Sequence, residues 1–367
     1  MTQIPAIWLR DNCRCPECVD PVSGQKLFGI TDLPIAPEVS GVDETPDHLT
    51  FTFAPDGHVA TFPREWLATH HPTAPATTPN PRTEDAKTLW HGASHPIPRF
   101  AWDGFLTTDD IRTACLDAVL RQGYALLHGV PVQDRTVLRV ASEFGYVRTT
   151  NYGEVFEVRT EPAATNLAFT NLPITPHTDN PYRDPVPTVQ LLHCLVNAAE
   201  GGDSALVDGF EAAGRLRAAD PAAFRSLTTT PVTFRYRDAN TDLSSTQPLI
   251  GLDAKGRVRE VRFNNRSMQP VSVNPGGPNG PNDPDDSDAI ETFYAAYRAF
   301  AALLYDAAAA VRFRLGPGDC VIFDNTRVLH ARTGFTADGR RHLQGCYLDL
   351  DGVASNHKVL TRIASTR

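Results

Sequence analysis

Short runs of alternating apolar and polar residues are the main pattern along the chain, and proline or glycine ends most of them. Residues 49–53 and 58–62 alternate on either side of Pro55-Asp-Gly57, which predicts a β-hairpin. Further strands are predicted at 124–130, 187–195, 311–315, 320–324 and 342–348. Because the turn Gly316-Pro-Gly-Asp319 joins two of these runs, a second hairpin is predicted there.

Helical periodicity is clearest in two segments. Asp109 and Asp110 precede apolar residues that recur on one face as far as Val119, which predicts a helix. A longer amphipathic helix is predicted from about Asp288 to Ala308. Many short strands with few helices favour a β-sandwich or jelly roll that is braced by helices.

Proline-rich segments interrupt these elements at two places. The polar stretch 71–83 predicts an extended linker. We therefore place an N-terminal domain with its linker at residues 1–85 and a larger domain at residues 86–367. Residues 270–288 are rich in proline and glycine, which predicts a mobile surface loop with an active-site lid as one interpretation.

The net charge of the chain limits the kinds of molecule that we expect it to bind. The 367 residues carry 34 Lys and Arg against 43 Asp and Glu, a formal net charge of −9. Non-specific binding to a phosphate backbone needs a basic surface, so we expect no nucleic-acid partner. No run approaches the ~18–20 apolar residues of a membrane helix, and the first residues lack the features of a secretory signal. We expect a cytoplasmic protein without a membrane segment.

The seven cysteines are unevenly placed. Four stand singly among apolar residues, where buried thiols are expected: Cys115, Cys194, Cys320 and Cys346. Three lie close together and predict a metal site: Cys13, Cys15 and Cys18. An odd count with isolated cysteines does not fit a secreted disulfide framework and favours a reducing compartment.

The strongest chemical signal is His177-Thr-Asp179, which we place just before a strand. Residues two apart share a face of an extended segment, so the imidazole and the carboxylate can converge on one cation. His330 offers a third ligand. Two histidines and one carboxylate on one face of an octahedron hold iron in non-haem Fe(II) oxygenases and leave three positions open.

Residues suited to an anion accompany this triad. Arg341 lies eleven residues beyond His330, and its planar guanidinium matches the distal carboxylate of 2-oxoglutarate. Gly201-Gly-Asp-Ser204 follows the strand predicted at 187–195 and adds a hydroxyl donor. The sequence therefore predicts a site for Fe(II) and 2-oxoglutarate.

In combination these motifs resemble the taurine dioxygenase-like superfamily, and more narrowly its γ-butyrobetaine hydroxylase branch. The resemblance covers nearly the whole chain and is carried by His177-Thr-Asp179, Gly201-Gly-Asp-Ser204, 324–332, 341–347 and 8–18. It implies a mainly β fold with bracing helices. A double-stranded β-helix, or jelly roll, would form the catalytic domain, beside a small N-terminal zinc-binding β domain.

The resemblance also implies ligand sets. Iron would be held by His177, Asp179 and His330, and 2-oxoglutarate by Arg341, Ser204 and Asn166. Zinc would be held by Cys13, Cys15, Cys18 and His58, with His48 as the alternative histidine. Three thiolates and one imidazole form a closed site, which is structural. The resemblance further implies O₂ as cosubstrate, ascorbate as a supporting reductant and a homodimer.

The activity implied by the resemblance is hydroxylation of a small quaternary-ammonium zwitterion. 2-Oxoglutarate would be oxidatively decarboxylated to succinate and carbon dioxide as the substrate is hydroxylated. In this branch an aromatic cage binds the trimethylammonium group, and the matching positions are Tyr152, Phe156, Phe169 and Tyr347. Cation–π attraction to a desolvated ring contributes about 2 kcal/mol.

The other end of the predicted pocket carries several donors, namely Asn180, Tyr182 and Arg266. A phosphonate offers three oxygens and up to two charges, so this number of donors favours a phosphonate over a carboxylate. The pattern resembles the hydroxylases of 2-(trimethylammonio)ethylphosphonate. We therefore predict that this compound is hydroxylated at C1, next to phosphorus, in phosphonate catabolism.

Three alternatives stay open. Hydroxylation of γ-butyrobetaine, which forms carnitine, is the first. A peptide or protein hydroxylase on the same fold would need an open cleft. The third is a non-enzymatic, zinc-anchored binding module, which the intact triad and Arg341 argue against because such a module would not need them. Succinate release from 2-oxoglutarate in the presence of candidate small molecules distinguishes these classes.

Overall fold

A three-stranded antiparallel sheet organises the N-terminal unit, which comprises Met1–Pro79. Its strands are β1 (Glu38–Glu44), β2 (His48–Ala54) and β3 (Val59–Pro63), and its helices are α1 (Ala6–Asp11) and α2 (Arg64–His70). The alternating side chains Phe51, Phe53 and Phe62 face inward and form a small core with Leu9 and Leu67. The pairing of β2 with β3 confirms the first predicted hairpin.

The computed structural model describes residues 4–73, 86–92, 95–159, 170–272, 284–336 and 340–365. The second unit comprises Asn80–Arg367. The domain boundary that we predicted at residue 85 lies outside the described residues, as do most of the predicted linker and much of the predicted loop 270–288.

Two facing sheets form the second unit. The six-stranded sheet contains, in spatial order, β4 (Arg99–Ala101), β5 (Tyr124–His128), β15 (Cys320–Asp324), β8 (Val189–Asn197), β17 (Arg341–Leu348) and β6 (Phe156–Arg159). The four-stranded sheet contains β14 (Val311–Phe313), β9 (Ser204–Asp208), β16 (Val328–Arg332) and β7 (Ile174–His177). Apolar side chains from both sheets, including Leu126, Leu206 and Phe323, share one buried cluster. This is the predicted double-stranded β-helix, and the mainly β fold class is confirmed.

Helices brace the outer faces of the two sheets. One cluster of buried apolar residues joins the six-stranded sheet to α3 (Trp102–Thr107), α4 (Asp109–Arg121), α5 (Thr136–Phe144) and α9 (Leu350–Ser365). Another joins the four-stranded sheet to α6 (Gly209–Ala219), α7 (Pro221–Thr229) and α8 (Pro284–Tyr305). Two small antiparallel pairs complete this side: β10 (Val232–Arg237) with β11 (Asp242–Gln247), and β12 (Ile250–Leu252) with β13 (Val258–Val261).

The second predicted hairpin is wrong. The strands exist, but β14 pairs with β9 in the four-stranded sheet, whereas β15 lies between β5 and β8 in the six-stranded sheet. The turn at 316–319 therefore carries the chain from one sheet to the other. A glycine at 318 is required there, because φ is +87° and Val130 O would lie 3.0 Å from an added Cβ.

Candidate active site

The predicted triad comes together where β7 and β16 pair. His330 and His177 are directly opposite each other in the register of these strands, and Asp179 follows β7 in the next turn. His177 therefore ends a strand and does not precede one as predicted. The candidate ligand atoms of the three residues all lie within 4.8 Å of one another.

Distances within the triad fit a single cation. His177 Nε2 lies 3.3 Å from Asp179 Oδ1, and His330 Nε2 lies 3.9 Å from Asp179 Oδ2. Ligands held at about 2.1 Å and at right angles around one ion are about 3 Å apart. His177 Nδ1 donates to the carbonyl oxygen of Thr175 at 2.9 Å, which leaves Nε2 as the free ligand atom.

Electrostatics favours the protonation states that a metal needs. Burial opposes ionisation of Asp179, but the neighbouring His330 and His177 and the hydrogen bond from the Tyr347 hydroxyl outweigh it, so the pKa of this carboxyl lies well below its usual range. Burial and the neighbouring His177 lower the pKa of His330 to about 3. An ionised carboxylate beside a neutral imidazole is the form that binds a cation.

A cavity of about 510 Å³ opens beside the triad in the second unit. The predicted site residues that line it are Tyr152, Phe156, His177, Asp179, Asn180, Tyr182, Ser204, Arg266, His330, Arg341 and Tyr347. Asn166 and Phe169, predicted for 2-oxoglutarate and the cage, lie outside the described residues. Residues from five separate strands thus reach one pocket.

Arg341 and Ser204 lie at one end of this cavity. The Arg341 side chain is buried, its Nε has no hydrogen-bond partner among the described residues, and burial lowers its pKa to about 10. Gly202 makes room for it: φ is +71°, and an added Cβ would lie 3.2 Å from Arg341 Nε. A guanidinium still charged at neutral pH, with an unused donor, suits a carboxylate.

A second arginine lines the same end. Arg332 donates through Nη2 to the carbonyl oxygens of Thr170 and Leu172, each at 2.7 Å. The Phe335 ring lies 4.9 Å from the Arg332 guanidinium and 5.7 Å from that of Arg341. Arg332 therefore ties the segment that leads into β7 to the strand that carries His330.

Aromatic side chains form one wall of the cavity around Tyr347, near the end of β17. Phe156 stacks on Tyr347 with ring centroids 4.9 Å apart. Tyr236, which sequence reasoning missed, stacks on Tyr182 at 5.2 Å and meets Tyr152 edge-on at 5.7 Å. Tyr236 lies on β10, a strand that we did not predict, and no motif indicated that Tyr236 would reach the pocket.

Hydroxyl groups in this wall orient Asn180. Tyr182 donates to Asn180 Oδ1 at 2.7 Å, and the hydroxyls of Tyr152 and Tyr182 are 3.0 Å apart. The Asn180 Nδ2 group is buried and has no partner among the described residues, so its N–H donors are available to a ligand. Tyr182, predicted to contact the substrate's anion directly, thus uses its hydroxyl to fix Asn180.

Further cationic side chains line the cavity. Arg266 Nε donates to Asn264 Oδ1 at 3.2 Å, and burial lowers the pKa of Arg266. Arg235 and Arg237 also line the cavity and were missed, because the strand that carries them, β10, lacks a recognisable motif. Asp242 pairs with Arg235 at 2.5 Å, so that cation is already neutralised.

The N-terminal unit holds the second candidate metal site. His58 Nε2 lies 3.1, 3.7 and 3.6 Å from the sulfurs of Cys13, Cys15 and Cys18. Sulfur and nitrogen ligands of one tetrahedral zinc ion are about 3.6 Å apart. Arg10 donates to Cys18 Sγ at 3.4 Å and to Asp56 Oδ2 at 3.0 Å, which ties the cluster to the hairpin. The cluster can therefore hold zinc through His58.

A double-stranded β-helix with a His-Asp-His triad defines the class: the Fe(II)- and 2-oxoglutarate-dependent oxygenases. The chain belongs to the taurine catabolism dioxygenase TauD, TfdA family, whose model matches residues 60–347. The model described as gamma-butyrobetaine hydroxylase-like, N-terminal, matches residues 1–68. The predicted superfamily, branch and enzyme class are confirmed, and so are Fe(II), 2-oxoglutarate and O₂ as requirements.

Two relatives span almost the whole chain. The gamma-butyrobetaine dioxygenase of Pseudomonas sp. (strain AK-1) is 36% identical over 97% of this chain and 90% of its own length. The gamma-butyrobetaine dioxygenase of Homo sapiens is 30% identical over the same shares. A solved structure of asparagine oxygenase aligns with 62% of this chain and 74% of its own, at a TM-score of 0.47 and 18% identity.

Among the described residues, no helix combines the length and the apolar character needed to span a bilayer.

Proposed function

We propose that this enzyme hydroxylates a small zwitterion with a quaternary ammonium at one end and a carboxylate at the other, and that its substrate is γ-butyrobetaine. The observation that carries the proposal is the stacked pair Phe156 and Tyr347, which lines the cavity beside Asp179. The two gamma-butyrobetaine dioxygenases at 36% and 30% identity support the carboxylate over the phosphonate that we first predicted.

In this proposal the triad His177, Asp179 and His330 holds iron, and Arg341 with Ser204 holds the distal carboxylate of 2-oxoglutarate. Iron, 2-oxoglutarate and O₂ would together supply the oxidising chemistry: O₂ would deliver one oxygen atom to the substrate C–H bond and one to 2-oxoglutarate, which would be converted to succinate and carbon dioxide. The chain's own residues bind and orient the two organic molecules. The buried Arg341 guanidinium at the start of β17 is the proposed site for the distal carboxylate, whereas Tyr347 of the aromatic wall lies near the other end of that strand.

In this proposal the aromatic wall binds one end of the substrate and the hydrogen-bond donors bind the other. A trimethylammonium group has no N–H to donate, so ring faces bind it better than hydrogen-bond acceptors do. The Nδ2 group of Asn180 and the guanidinium of Arg266 are the donors proposed for the carboxylate. Both ends are then pinned, and the carbon between them is presented to the metal side of the cavity.

A comparison of substrates tests the proposal. We expect kcat/KM for γ-butyrobetaine to exceed that for 2-(trimethylammonio)ethylphosphonate. The analogue with a primary ammonium should be at least ~10-fold poorer than γ-butyrobetaine, because it prefers water to aromatic faces. Succinate formation and the hydroxylated product are measured together for each compound.

The variant Arg266→Ala tests the anion end. It should raise KM for γ-butyrobetaine, while Arg225→Ala, an exposed arginine on α7, should not. Faster turnover of the phosphonate by the wild-type protein would replace γ-butyrobetaine with the phosphonate as substrate. Absence of succinate formation with every quaternary-ammonium compound would refute the proposed substrate class.

A further inference from the structure

Asn325, which lies 146 residues further along the chain, forms hydrogen bonds with both backbone polar groups of Asp179. Asn325 Oδ1 accepts from the Asp179 N–H at 2.8 Å, and Asn325 Nδ2 donates to the Asp179 carbonyl at 2.9 Å. Asn325 is fully buried, and its Nδ2 also donates to the Pro187 carbonyl at 3.0 Å. The position of the Asp179 backbone is therefore set, and rotation of its carboxylate is the freedom that remains.

Each oxygen of the Asp179 carboxylate has a different neighbour. Oδ1 lies 3.3 Å from His177 Nε2, whereas Oδ2 lies 3.9 Å from His330 Nε2. Oδ2 accepts a hydrogen bond of 2.9 Å from the hydroxyl of Tyr347, near the end of β17. Tyr347 is itself held by Phe156, on which its ring stacks. Its hydroxyl is therefore presented to Asp179 by packing in the wall of the substrate cavity.

We infer that Tyr347 is a positioning residue for the metal centre as well as a wall of the substrate pocket: its hydroxyl occupies Oδ2 of Asp179, the oxygen farther from a triad histidine, so that Oδ1 would be the oxygen that binds the metal. The inference rests on the proposed role of Asp179 as an iron ligand. Carboxylates bind cations through one oxygen or through two. A phenol that occupies Oδ2 favours the first mode, and this keeps a coordination position open for the cosubstrates.

The variant Tyr347→Phe separates the two roles, because it keeps the aromatic ring and removes the hydroxyl. Cobalt(II) is titrated into protein that retains zinc in its N-terminal site, with affinity followed by calorimetry and coordination by visible absorption. We expect about 10-fold weaker cobalt binding or more, the usual effect of losing a hydrogen bond to a ligand. We also expect a changed absorption spectrum, because the carboxylate is free to bind through both oxygens.

Two variants serve as controls for this titration. Tyr124→Phe removes another buried hydroxyl, one that has no hydrogen-bond partner among the described residues, and should leave cobalt binding unchanged. Phe156→Leu keeps the Tyr347 hydroxyl but removes the ring that holds Tyr347, so it should raise KM for the substrate and weaken cobalt binding less than Tyr347→Phe does. A thermal melt of each variant verifies that it is folded.

Two outcomes would overturn the inference in distinguishable ways. If folded Tyr347→Phe binds cobalt with wild-type affinity and spectrum, Tyr347 does not position the ligand, and the proposed iron site stands. If Asp179→Ala binds cobalt as the wild type does, the proposed iron site itself is wrong, and the inference falls with it.

Discussion

At the scale of single residues, buried polar atoms without a protein partner gather around the cavity. Among the described residues they include Asn180 Nδ2, Gln190 Oε1 and Arg341 Nε, and all three side chains line the cavity. A buried donor or acceptor left unsatisfied costs about 1–3 kcal/mol. Bound ligands that satisfy these atoms recover that free energy, so the same groups select for ligands with carboxylates and hydrogen-bonding edges.

Asp179 is the residue whose loss should be most damaging. Asp179→Ala removes the carboxylate of the triad, and we expect 2-oxoglutarate turnover to be abolished. The fold should survive, because Asn325 binds the main chain of residue 179 and not its side chain. Turnover and thermal melting are compared with those of Asp351→Ala, an exposed acid on α9. Near-normal hydroxylation by Asp179→Ala would show that Asp179 is not part of the iron site.

At the scale of elements, β8 lies inside the six-stranded sheet between β15 and β17. It carries His193, which is fully buried and has no partner for either ring nitrogen among the described residues. Burial lowers the pKa of His193 to about 4. The unfolded chain, with a histidine pKa near 6.5, therefore binds the proton first as the pH falls.

The free energy of unfolding therefore decreases as the pH falls below about 6.5, and this decrease levels off near pH 4. We expect the free energy of unfolding to drop by about 2 kcal/mol between pH 7.5 and pH 5 from this residue. The variant His193→Gln should remove that part of the pH dependence, and His128→Gln, on the exposed end of β5, should retain it. Urea unfolding at the two pH values measures this change in the free energy of unfolding. An identical change in the wild type and in both variants would contradict the assignment of the pH dependence to His193.

The strands that we predicted follow from the alternation in the sequence, whereas their partners do not. The runs at 320–324 and 342–348 appear as β15 and β17, but β14 and β15 lie in different sheets despite the short turn between them. Partner choice depends on which face each strand buries, and distant segments decide that. Gln190 and Tyr236 reach the cavity for the same non-local reason, and neither lies in a motif.

The triad and the thiol cluster could be predicted from the sequence because metal binding restricts the type and spacing of the ligand residues. Asn325 belongs to the segment 324–332 that carried the family resemblance, so its position was visible, although its clamp on Asp179 was not. Hydrogen bonds such as that from Tyr347 to Asp179 join residues far apart in the sequence. The assignment of individual site residues to iron, 2-oxoglutarate and substrate stays a prediction until it is tested.

At the scale of the whole molecule, the two units differ in how they reach stability. The N-terminal unit has few buried apolar side chains, among them Phe53, Phe62 and Leu67. Small domains bury too little surface to be stable by packing alone, and a structural metal commonly compensates. The cluster of three cysteines and His58 is placed to do so.

We therefore expect close to one tightly held zinc ion per chain, separate from iron. Elemental analysis after mild chelation should still detect it, whereas strong chelation should unfold the N-terminal unit. Limited proteolysis follows that unfolding, with cuts expected first within residues 4–73. His58→Ala should lose the zinc, and His48→Ala, which changes the alternative histidine, should keep it. Fully active, well-folded protein without zinc would exclude a structural role for the cluster.

The strand β7 ends the order of the four-stranded sheet, with β16 beside it. His177 sits on the outermost strand and His330 on its neighbour, directly opposite. An ion bound by both imidazoles would be, in polymer terms, a cross-link that closes a long loop of chain at the edge of the four-stranded sheet. If the triad holds iron as proposed, binding iron would also hold β7 against β16, and we expect this sheet edge to open more readily in the metal-free enzyme.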